Sequence, residues 1–298
     1  MEITSDIRIS VILSTYNDEK YIAEAIESVL NQTYKHFEFI IVDDGSTDNT
    51  NRIIKSFDDE RIVLVEKKNT GLINSLNYGF SVSKYNWVIR MDGDDICYPN
   101  RFEMLMSRIS DNVAVIGSNC TLIDSSGKII GRTKNPLTTK GIIRNLLLML
   151  PSVFHSSTLI NKEIFNETAG YDKLMHVAED YDLWLRMSLK GEIINVEDEL
   201  MYYRMHESNI SKKKAEIQLL NSQIAFVKYI NGKSGLINVQ DYSIIKNVLE
   251  KKYIYKLYIK SGIKSKNKDN GKMSTLLFLS FNVLLKIWLL LTQRNIIR

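Results

Sequence analysis

The sequence FEFIIVDDGS at residues 37–46, followed by WVIRMDGDD at residues 87–95, decides the fold of this chain. Each stretch is a short apolar run, rich in β-branched and aromatic residues, that ends in adjacent aspartates. Such runs, alternating with amphipathic helices, are typical of parallel strands in an open α/β sheet, which binds ligands at the carboxyl ends of its strands. The two acidic clusters are therefore expected to share one crevice. Because gathered carboxylates repel each other unless a cation and a phosphate-bearing ligand complete the site, the pattern predicts a metal-assisted enzyme acting on a nucleotide.

The composition describes a globular protein with one large domain and an appendage. Of the 298 residues, 44% are hydrophobic and 25% are charged, which is enough apolar material for a substantial core. The two cysteines, Cys97 and Cys120, have no metal-ligand or redox spacing, so a reducing compartment is favoured over a disulfide framework. The polar residues 1–9 lack the apolar segment of a signal peptide. We therefore expect a cytoplasmic protein.

The first half of the chain alternates predicted strands and helices with short loops. Strands are expected at residues 8–14, 37–42, 61–66, 87–91 and 113–117, and helices at residues 18–31, 47–57, 72–82 and 100–109. This alternation is typical of parallel strands joined by right-handed crossovers. The expected fold class is α/β, with a Rossmann-like, mostly parallel central sheet flanked by helices.

The second half of the chain is less regular and ends in a basic, helical region. Residues 136–204 mix helical segments at 142–150 and 177–189 with a strand-like segment at 157–160 and a further short segment at 192–196. From residue 212 onward the sequence predicts helix. We expect a catalytic domain at residues 1–211 and a helical C-terminal extension at residues 212–298.

The last predicted helix, residues 276–291, is almost wholly apolar and follows a Lys-rich segment that ends at Lys272. Asn282 and Lys286 lie on one narrow polar stripe of this helix, and Lys286 near its middle argues against a transmembrane span. We expect the helix to lie in the interface of an anionic membrane. The alternative is that it packs on the domain or on a second subunit, as in a homodimer.

Five motifs, in order along the chain, carry a family resemblance. They are STYN at residues 14–17, VDDGSTD at 42–48, NTGL at 69–72, RMDGDD at 90–95 and AEDYDLWLR at 178–186. Together they resemble the successive signatures of glycosyltransferase family 2, whose members are inverting, sugar-nucleotide-dependent enzymes of the GT-A fold. The resemblance covers about residues 7–211 and implies the same fold and activity for this chain.

The turn Asp92-Gly93-Asp94 occupies the position of the family's DxD motif. Carboxylate oxygens suit Mg²⁺ or Mn²⁺, and such a cation neutralises the diphosphate as the bond to the sugar breaks. By resemblance, Asp94 is the direct metal ligand, and Arg90, Asp92 and Gly93 belong to the donor-binding residues. His206 is similar to the family's late R-x-H histidine and is expected to complete the metal or diphosphate site. The alternative for His206 is a purely structural role.

The loops after the first two predicted strands are expected to hold the nucleotide. By resemblance, Asp43 accepts a hydrogen bond from the base or the ribose. Thr15, Tyr16 and Asn17 are assigned to the same pocket, with the Tyr16 ring beside the pyrimidine. Gly71 would let the backbone approach the ligand just before a helix, although a plain turn is the alternative.

Two predicted helices begin with polar residues that receive different roles. Ser46 and Thr47 are expected to cap the helix of residues 47–57. At the start of the later helix, Asp180 is by resemblance the general base that takes the proton from the acceptor hydroxyl. The alternative role, a negative charge that complements the helix dipole, suits Glu179 and Asp182 better.

The resemblance therefore implies an inverting glycosyltransferase of surface-polysaccharide synthesis. It would move a hexose or N-acetylhexosamine from a nucleotide sugar, UDP-linked, to a glycan acceptor on a lipid carrier at the cytoplasmic membrane face. A nucleotidyltransferase is the alternative enzyme, but a Gly-rich phosphate loop would then be expected at residues 15–18. A non-catalytic, membrane-attached binding module would have lost Asp94, Asp180 or His206. Nucleic-acid binding is not expected, because the C-terminal lysines recur near helical spacing and precede an apolar helix.

Overall fold

The computed structural model describes residues 7–207 and 214–230, and its centre is a mixed β-sheet with helices on both faces. The strands of these ranges are β1 (Ile9–Thr15), β2 (Phe37–Asp43), β3 (Ile62–Glu66), β4 (Trp87–Asp92), β5 (Ile96–Cys97), β6 (Val113–Asp124), β7 (Ile129–Arg132), β8 (Leu159–Asn161) and β9 (Glu192–Met205). The first four strands lie within about one residue of the predicted bounds at each end.

The helices alternate with the strands in the first half and cluster after β7 in the second. They are α1 (Ile22–Leu30), α2 (Thr50–Lys55), α3 (Leu72–Val82), α4 (Arg101–Met106), α5 (Thr139–Leu147), α6 (Lys162–Glu167), α7 (Glu179–Met187) and α8 (Ala215–Ile230), with a 3₁₀ turn at His155–Ser157. Helix α3 has the predicted bounds. Helix α1 begins at Ile22 and not at Asp18, because the residues before it form a turn in which the Asp18 carbonyl accepts the N–H groups of Tyr21 and Ile22.

The order of the strands brings several carboxyl ends to one edge of the sheet. The order is β3-β2-β1-β4-β8-β6-β9-β5, with β7 paired to β6. Strands β3, β2, β1 and β4 are parallel, as predicted. Strand β8 is antiparallel to both β4 and β6, while β6 and β9 are parallel, so β9 runs in the same direction as β4. The carboxyl ends of β1, β2, β4 and β9 therefore open at the same edge.

The core lies on both faces of the sheet, because successive side chains of each strand point to opposite faces. Val11 and Phe39 are buried on the face covered by α1 and α4. Ile12 and Ile40 are buried on the other face, which α3, α7 and α8 cover. The predicted α/β class is confirmed, and α8, which falls in the predicted extension, contributes to the same core as α7.

Strand β9 is much longer than the predicted segment at residues 192–196. Its pairing with β6 contains register shifts around Ser118 and Asn119, and the exposed Glu197 and Asp198 lie in this irregular part. Glu197 and Asp198 interrupt the apolar pattern, so the sequence does not predict the second half of the strand. In the structure, pairing with β6 continues beyond these two residues.

The predicted Lys-rich segment and the apolar helix at residues 276–291 lie outside the described residues. Within residues 7–207 and 214–230, no helix combines the length and the hydropathy needed to cross a membrane. The expectation of membrane attachment through the C-terminal helix stays a prediction.

Candidate active site

The acidic turn after β4 gathers three carboxylates. One oxygen each from Asp92, Asp94 and Asp95 lies within 4.8 Å of the others. Asp95 is buried and accepts hydrogen bonds from the Ser156 hydroxyl at 2.6 Å and from the Arg204 backbone N–H at 2.9 Å. Burial and the neighbouring aspartates raise the pKa of Asp94 above its ordinary value and the pKa of Asp95 well above it. Acids held this close repel one another, and a bound cation would relieve that repulsion.

His206 lies beside this turn, where the late motif predicts it. Its Nε2 is 2.8 Å from Oδ2 of Asp94, and its ring centroid is 5.5 Å from that of Tyr21. Arg204, two residues earlier on β9, donates from Nε to the Asp94 backbone carbonyl at 2.9 Å and pairs with Glu24 at 2.6 Å. Arg204 thus fixes the end of β9 to the acidic turn and places His206 against Asp94.

The donor atoms at this turn fit a hard divalent cation. Carboxylate oxygens are the preferred ligands of Mg²⁺ and Mn²⁺, and Mn²⁺ also accepts an imidazole nitrogen. In the described part of the chain, Asp92, Asp94 and Asp95 are the one group of three such side chains close enough to share an ion. Because Asp95 is buried and already accepts two hydrogen bonds, Asp94 and His206 are the better placed ligands.

Asp18 also lies at the acidic turn, a contact that no sequence motif indicated. A β-carbon on Gly93 would come within 2.9 Å of Oδ2 of Asp18, so the glycine is needed for this close approach. The Thr15 hydroxyl donates to the same oxygen at 2.7 Å. Burial, together with the charges of Asp94 and Asp92, raises the pKa of Asp18 to about 6. The turn therefore faces one more carboxylate than the motif contains.

A cavity of about 500 Å³ opens beside the acidic turn. Its lining comes from the loop after β1, the turn between β6 and β7, and the end of β9, and consists of Asn17, Asp18, Lys20, Tyr21, Ser125, His206 and Glu207. The Lys20 ammonium lies 4.7 Å from the centre of the Tyr21 ring. The cavity thus combines acidic, basic and aromatic groups next to a predicted metal ligand.

Asn17 ties the loop after β1 to the loop after β2. Its N–H donates to the Ser46 hydroxyl at 3.0 Å, and its side-chain carbonyl accepts the Thr47 N–H at 2.8 Å. The prediction that Ser46 and Thr47 cap α2 is therefore wrong, since Asn49 is the N-cap residue of that helix. Helix α2 begins later than predicted because the polar residues before it are used to join the two loops.

Asp43 and Asp44, at the end of β2, have different partners. The buried Asp43 accepts from the Asn51 amide at 2.8 Å. Asp44 organises the loop before α3, because it pairs with Lys67 and accepts the Gly71 N–H at 2.8 Å. Although burial opposes ionisation, Lys67 and the backbone donors lower the pKa of Asp44 below its ordinary value. Gly71 has a φ of 90°, and open space surrounds the position of an added β-carbon, so its conformation and not crowding favours glycine.

Tyr16 and Arg90 differ in how directly they can reach a ligand. Tyr16, the residue after β1, is 46% exposed, which leaves its ring accessible at the crevice. Arg90 is buried on β4 and pairs with Asp92 through Nη1. Its Nε lacks a hydrogen-bond partner among the described residues. In this arrangement Arg90 holds Asp92 from within the protein.

The first turn of α7 carries two acids, Glu179 and Asp180. Asp180 is half-buried, and its Oδ1 accepts the Tyr181 N–H at 2.7 Å. Burial raises the pKa of Asp180 above its ordinary value, and the charges of Arg90 and Asp92 also act on this pKa. Asp180 therefore shares an electrostatic environment with the end of β4. A raised carboxyl pKa is what a general base needs in order to operate near neutral pH.

Glu179 does not complement the helix dipole with a charge, and that expectation is wrong. It is 7% exposed, and burial together with the Asp180 charge raises its pKa to about 8, so Glu179 keeps its proton at neutral pH. Nearby, the His155 Nε2 lies 2.7 Å from the Tyr171 hydroxyl. Burial and the Arg90 charge lower the pKa of His155 well below its ordinary value. Burial thus favours the neutral forms of both Glu179 and His155.

Comparisons with known proteins identify the family of this chain. The family model described as Glycosyl transferase family 2 matches residues 10–168. A Haemophilus influenzae protein named as an uncharacterized glycosyltransferase is 33% identical over 287 residues, spanning 84% of this chain and 85% of that protein. The O-antigen biosynthesis glycosyltransferase WbnJ of Escherichia coli is 31% identical over 211 residues, spanning 68% of this chain and 82% of that protein. By contrast, the match to a Rickettsia bellii glycosyltransferase spans 31% of that longer protein.

Solved structures share the fold at lower sequence identity. The crystal structure of S. aureus TarS 1–349 in complex with UDP-GlcNAc has a TM-score of 0.63 and 18% identity, covering 80% of this chain and 70% of that chain. This similarity confirms the predicted GT-A architecture. Since the family model spans more than half of the chain and the H. influenzae relative aligns along most of both sequences, this chain belongs to glycosyltransferase family 2.

Proposed function

We propose that this glycosyltransferase is a metal-dependent, inverting enzyme that moves a hexose or N-acetylhexosamine from a UDP-sugar to a glycan acceptor on a lipid carrier. The observation that carries the proposal is the placement of two chemically different groups around the end of β4. The acidic turn and His206 are suited to bind a diphosphate together with its cation. Asp180, whose pKa is raised, is suited to accept a proton from an acceptor hydroxyl.

The donor would lie across the ends of β1, β2 and β4. Asp43 would accept a hydrogen bond from the base or the ribose, and the exposed ring of Tyr16 would lie beside the pyrimidine. Asp94 and His206 would hold Mn²⁺ or Mg²⁺, which when bound neutralises charge on the diphosphate. Asn17 joins the loops after β1 and β2 and would thus preorganise this part of the pocket for the donor.

Asp180 would act as the general base. It takes the proton of the acceptor hydroxyl as that oxygen forms a bond to the anomeric carbon of the sugar. The bond from the anomeric carbon to the diphosphate oxygen breaks, and its electron pair leaves with the diphosphate. Attack from the side opposite the leaving group inverts the configuration of that carbon. The raised pKa of Glu179 supports this assignment, because burial favours the protonated form of this neighbouring acid.

The relatives support the choice of substrates. TarS has been solved with UDP-GlcNAc, and the name of WbnJ assigns it to O-antigen biosynthesis. We therefore propose a role in surface-polysaccharide synthesis at the cytoplasmic face of the membrane. The Lys-rich segment and the apolar residues 276–291 support peripheral attachment there.

A donor panel tests the proposed function. The purified protein is incubated with UDP-, GDP- and dTDP-sugars, with and without Mn²⁺, and nucleotide release is measured before candidate lipid-linked acceptors are tried by mass spectrometry. We expect turnover of a UDP-sugar that needs the cation and is lost in Asp94→Ala. Asp111→Ala, which changes an exposed aspartate at the opposite edge of the sheet, is the matched control. Full activity of Asp94→Ala, or in excess chelator, would contradict the metal assignment, and preference for another nucleotide would contradict the donor.

A further inference from the structure

Helix α8 carries a buried lysine that contacts α7. Lys228 is 2% exposed, and its Nζ lies 3.1 Å from Oδ1 of Asp182 and 3.7 Å from Oδ2 of Asp172. Lysine is almost never buried to this extent unless it is paired. Residues 215–230 follow all the sequence motifs, the late histidine motif included, and lie beyond the residues matched by the family model. Neither the sequence motifs nor the family model therefore assigns Lys228 a role.

The ion pairs of Lys228 reach the first turn of α7. Asp182 lies two residues after Asp180, and its Oδ2 also lies 2.6 Å from Nη2 of Arg186. Asp172 belongs to the loop that leads into α7. The buried charges thus join α8, α7 and this loop. Loss of the lysine charge would take one cationic contact away from the buried carboxylates of Asp172 and Asp182, which is more disruptive than losing an exposed ion pair.

The loop before α7 has an unusual backbone conformation where α8 contacts it. Val177 has a φ of 59°, a left-handed conformation that is a true outlier for a β-branched residue. From α8, Asn221 donates its Nδ2 to the carbonyl of His176, the residue before Val177, at 2.7 Å. Such conformations persist only where the surrounding structure holds them, and they concentrate at functional sites. Asn221 and Lys228 are two of the contacts that hold this loop.

We propose that Lys228, together with Asn221, is a positioning residue that sets the place of Asp180 relative to the donor. The proposal rests on the proposed function, since it takes Asp180 as the general base. Lys228 acts through the turn from which Asp180 projects. The donor loops after β1 and β2 are held by their own contacts, among them those of Asn17 and Asp44. Loss of Lys228 is therefore expected to lower turnover and to leave the affinity for the donor nucleotide unchanged.

The test compares Lys228→Met with Lys190→Met in the full chain. Lys190 pairs with Glu167 at 3.4 Å just after α7, but both side chains are well exposed, so this control removes a lysine charge near α7 without unpairing a buried acid. With the UDP-sugar that the donor panel selects, we expect Lys228→Met to lower kcat by about 10- to 100-fold, the usual effect of a small misplacement of a reacting group. The Kd for UDP, measured by calorimetry, should be unchanged in both variants.

Two further variants keep the test decisive. Asn221→Ala removes the contact to the His176 carbonyl and should also lower kcat, so it replaces Lys228→Met if that variant does not fold. Asp172→Asn combined with Lys228→Met restores the charge balance and should recover part of the lost kcat. An unchanged kcat in folded Lys228→Met, or an equal loss of UDP affinity, would overturn the positioning role. Full turnover in Asp180→Asn would instead show that the base assignment of the proposed function has failed, and the positioning role that rests on it would fail with it.

Discussion

The Nε2 atom of His206 lies 2.8 Å from Oδ2 of Asp94, although the two residues are 112 positions apart in the chain. This contact depends on the direction of β9, whose carboxyl end meets the carboxyl end of β4 at the same edge of the sheet. Arg204 fixes the contact from one side by its hydrogen bond to the Asp94 carbonyl. The late motif is thus part of the acidic site and not a separate surface feature.

Replacing His206 should weaken the binding of a divalent cation. His206→Ala removes either a ligand or the group that orients Asp94, and both losses are expected to lower Mn²⁺ affinity by about 10- to 100-fold. Titration of Mn²⁺ in the presence of UDP, followed by calorimetry, measures the change. His36→Ala, which alters an exposed histidine, is the control. Equal Mn²⁺ affinity in His206→Ala and the control would show that His206 is structural.

Replacing Asp180 should separate chemistry from donor binding. Asp180→Asn is nearly isosteric but cannot take a proton, so turnover of the UDP-sugar should fall by roughly two to four orders of magnitude. UDP affinity should stay close to that of the wild type, because the first turn of α7 is not part of the proposed nucleotide pocket. Initial rates and calorimetry on the same samples test both statements. Retained turnover would assign the base to another residue.

Glu179 should make stability depend on pH in a defined direction. Its pKa is raised from 4.5 to about 8, so the folded state holds this proton more tightly than the unfolded chain does. The resulting stabilisation is complete below pH 4.5 and is lost as the pH rises through about 8. Glu179→Gln has no such proton, so the free energy of unfolding of the wild type should fall relative to this variant across that interval. Urea unfolding at several pH values measures the difference, and parallel curves would contradict a buried, protonated Glu179.

Removal of residues 272–298 should release the protein from membranes without affecting turnover. The predicted attachment combines a Lys-rich segment with an apolar helix, so binding to anionic liposomes should be lost, and salt should weaken it in the intact protein. Donor hydrolysis should be unchanged, because all the described site residues and α8 precede residue 231. Co-sedimentation and initial rates test the two parts. Failure of the intact chain to bind anionic liposomes would contradict the membrane role.

The sequence predicts those parts of the fold that depend on local pattern. Strands β1 to β4 alternate with helices, each is rich in apolar residues, and their parallel order follows from that alternation. The ends of these strands carry the acidic clusters, so the general location of the site could also be predicted. Strand β9 could not be predicted to its full length, because its second half is stabilised by pairing with β6, which is distant in the chain.

The state of individual side chains was harder to predict than their location. Asp18 resembled any polar residue at the start of a helix, and only the close approach of Gly93 reveals that it faces the acidic turn. Glu179 was expected to be charged, but its burial decides otherwise. The role of Ser46 in joining two loops and the pairing of Lys228 with Asp182 likewise depend on distant partners. Burial and long-range contacts, which determine pKa values, are not local properties of a sequence.

The shared edge of β4 and β9 also sets an order of events during synthesis. Domains generally begin to fold from the N-terminus as the chain leaves the ribosome, so β1 to β4 can associate once residue 92 has emerged. At that stage neither His206 nor Asp180 has been synthesised. About another hundred residues must be synthesised before β9 can join the sheet. The loop before α7 is held only after α8 has also been synthesised. We therefore expect the nascent chain to bind the donor only late in synthesis, after most of the catalytic domain has folded.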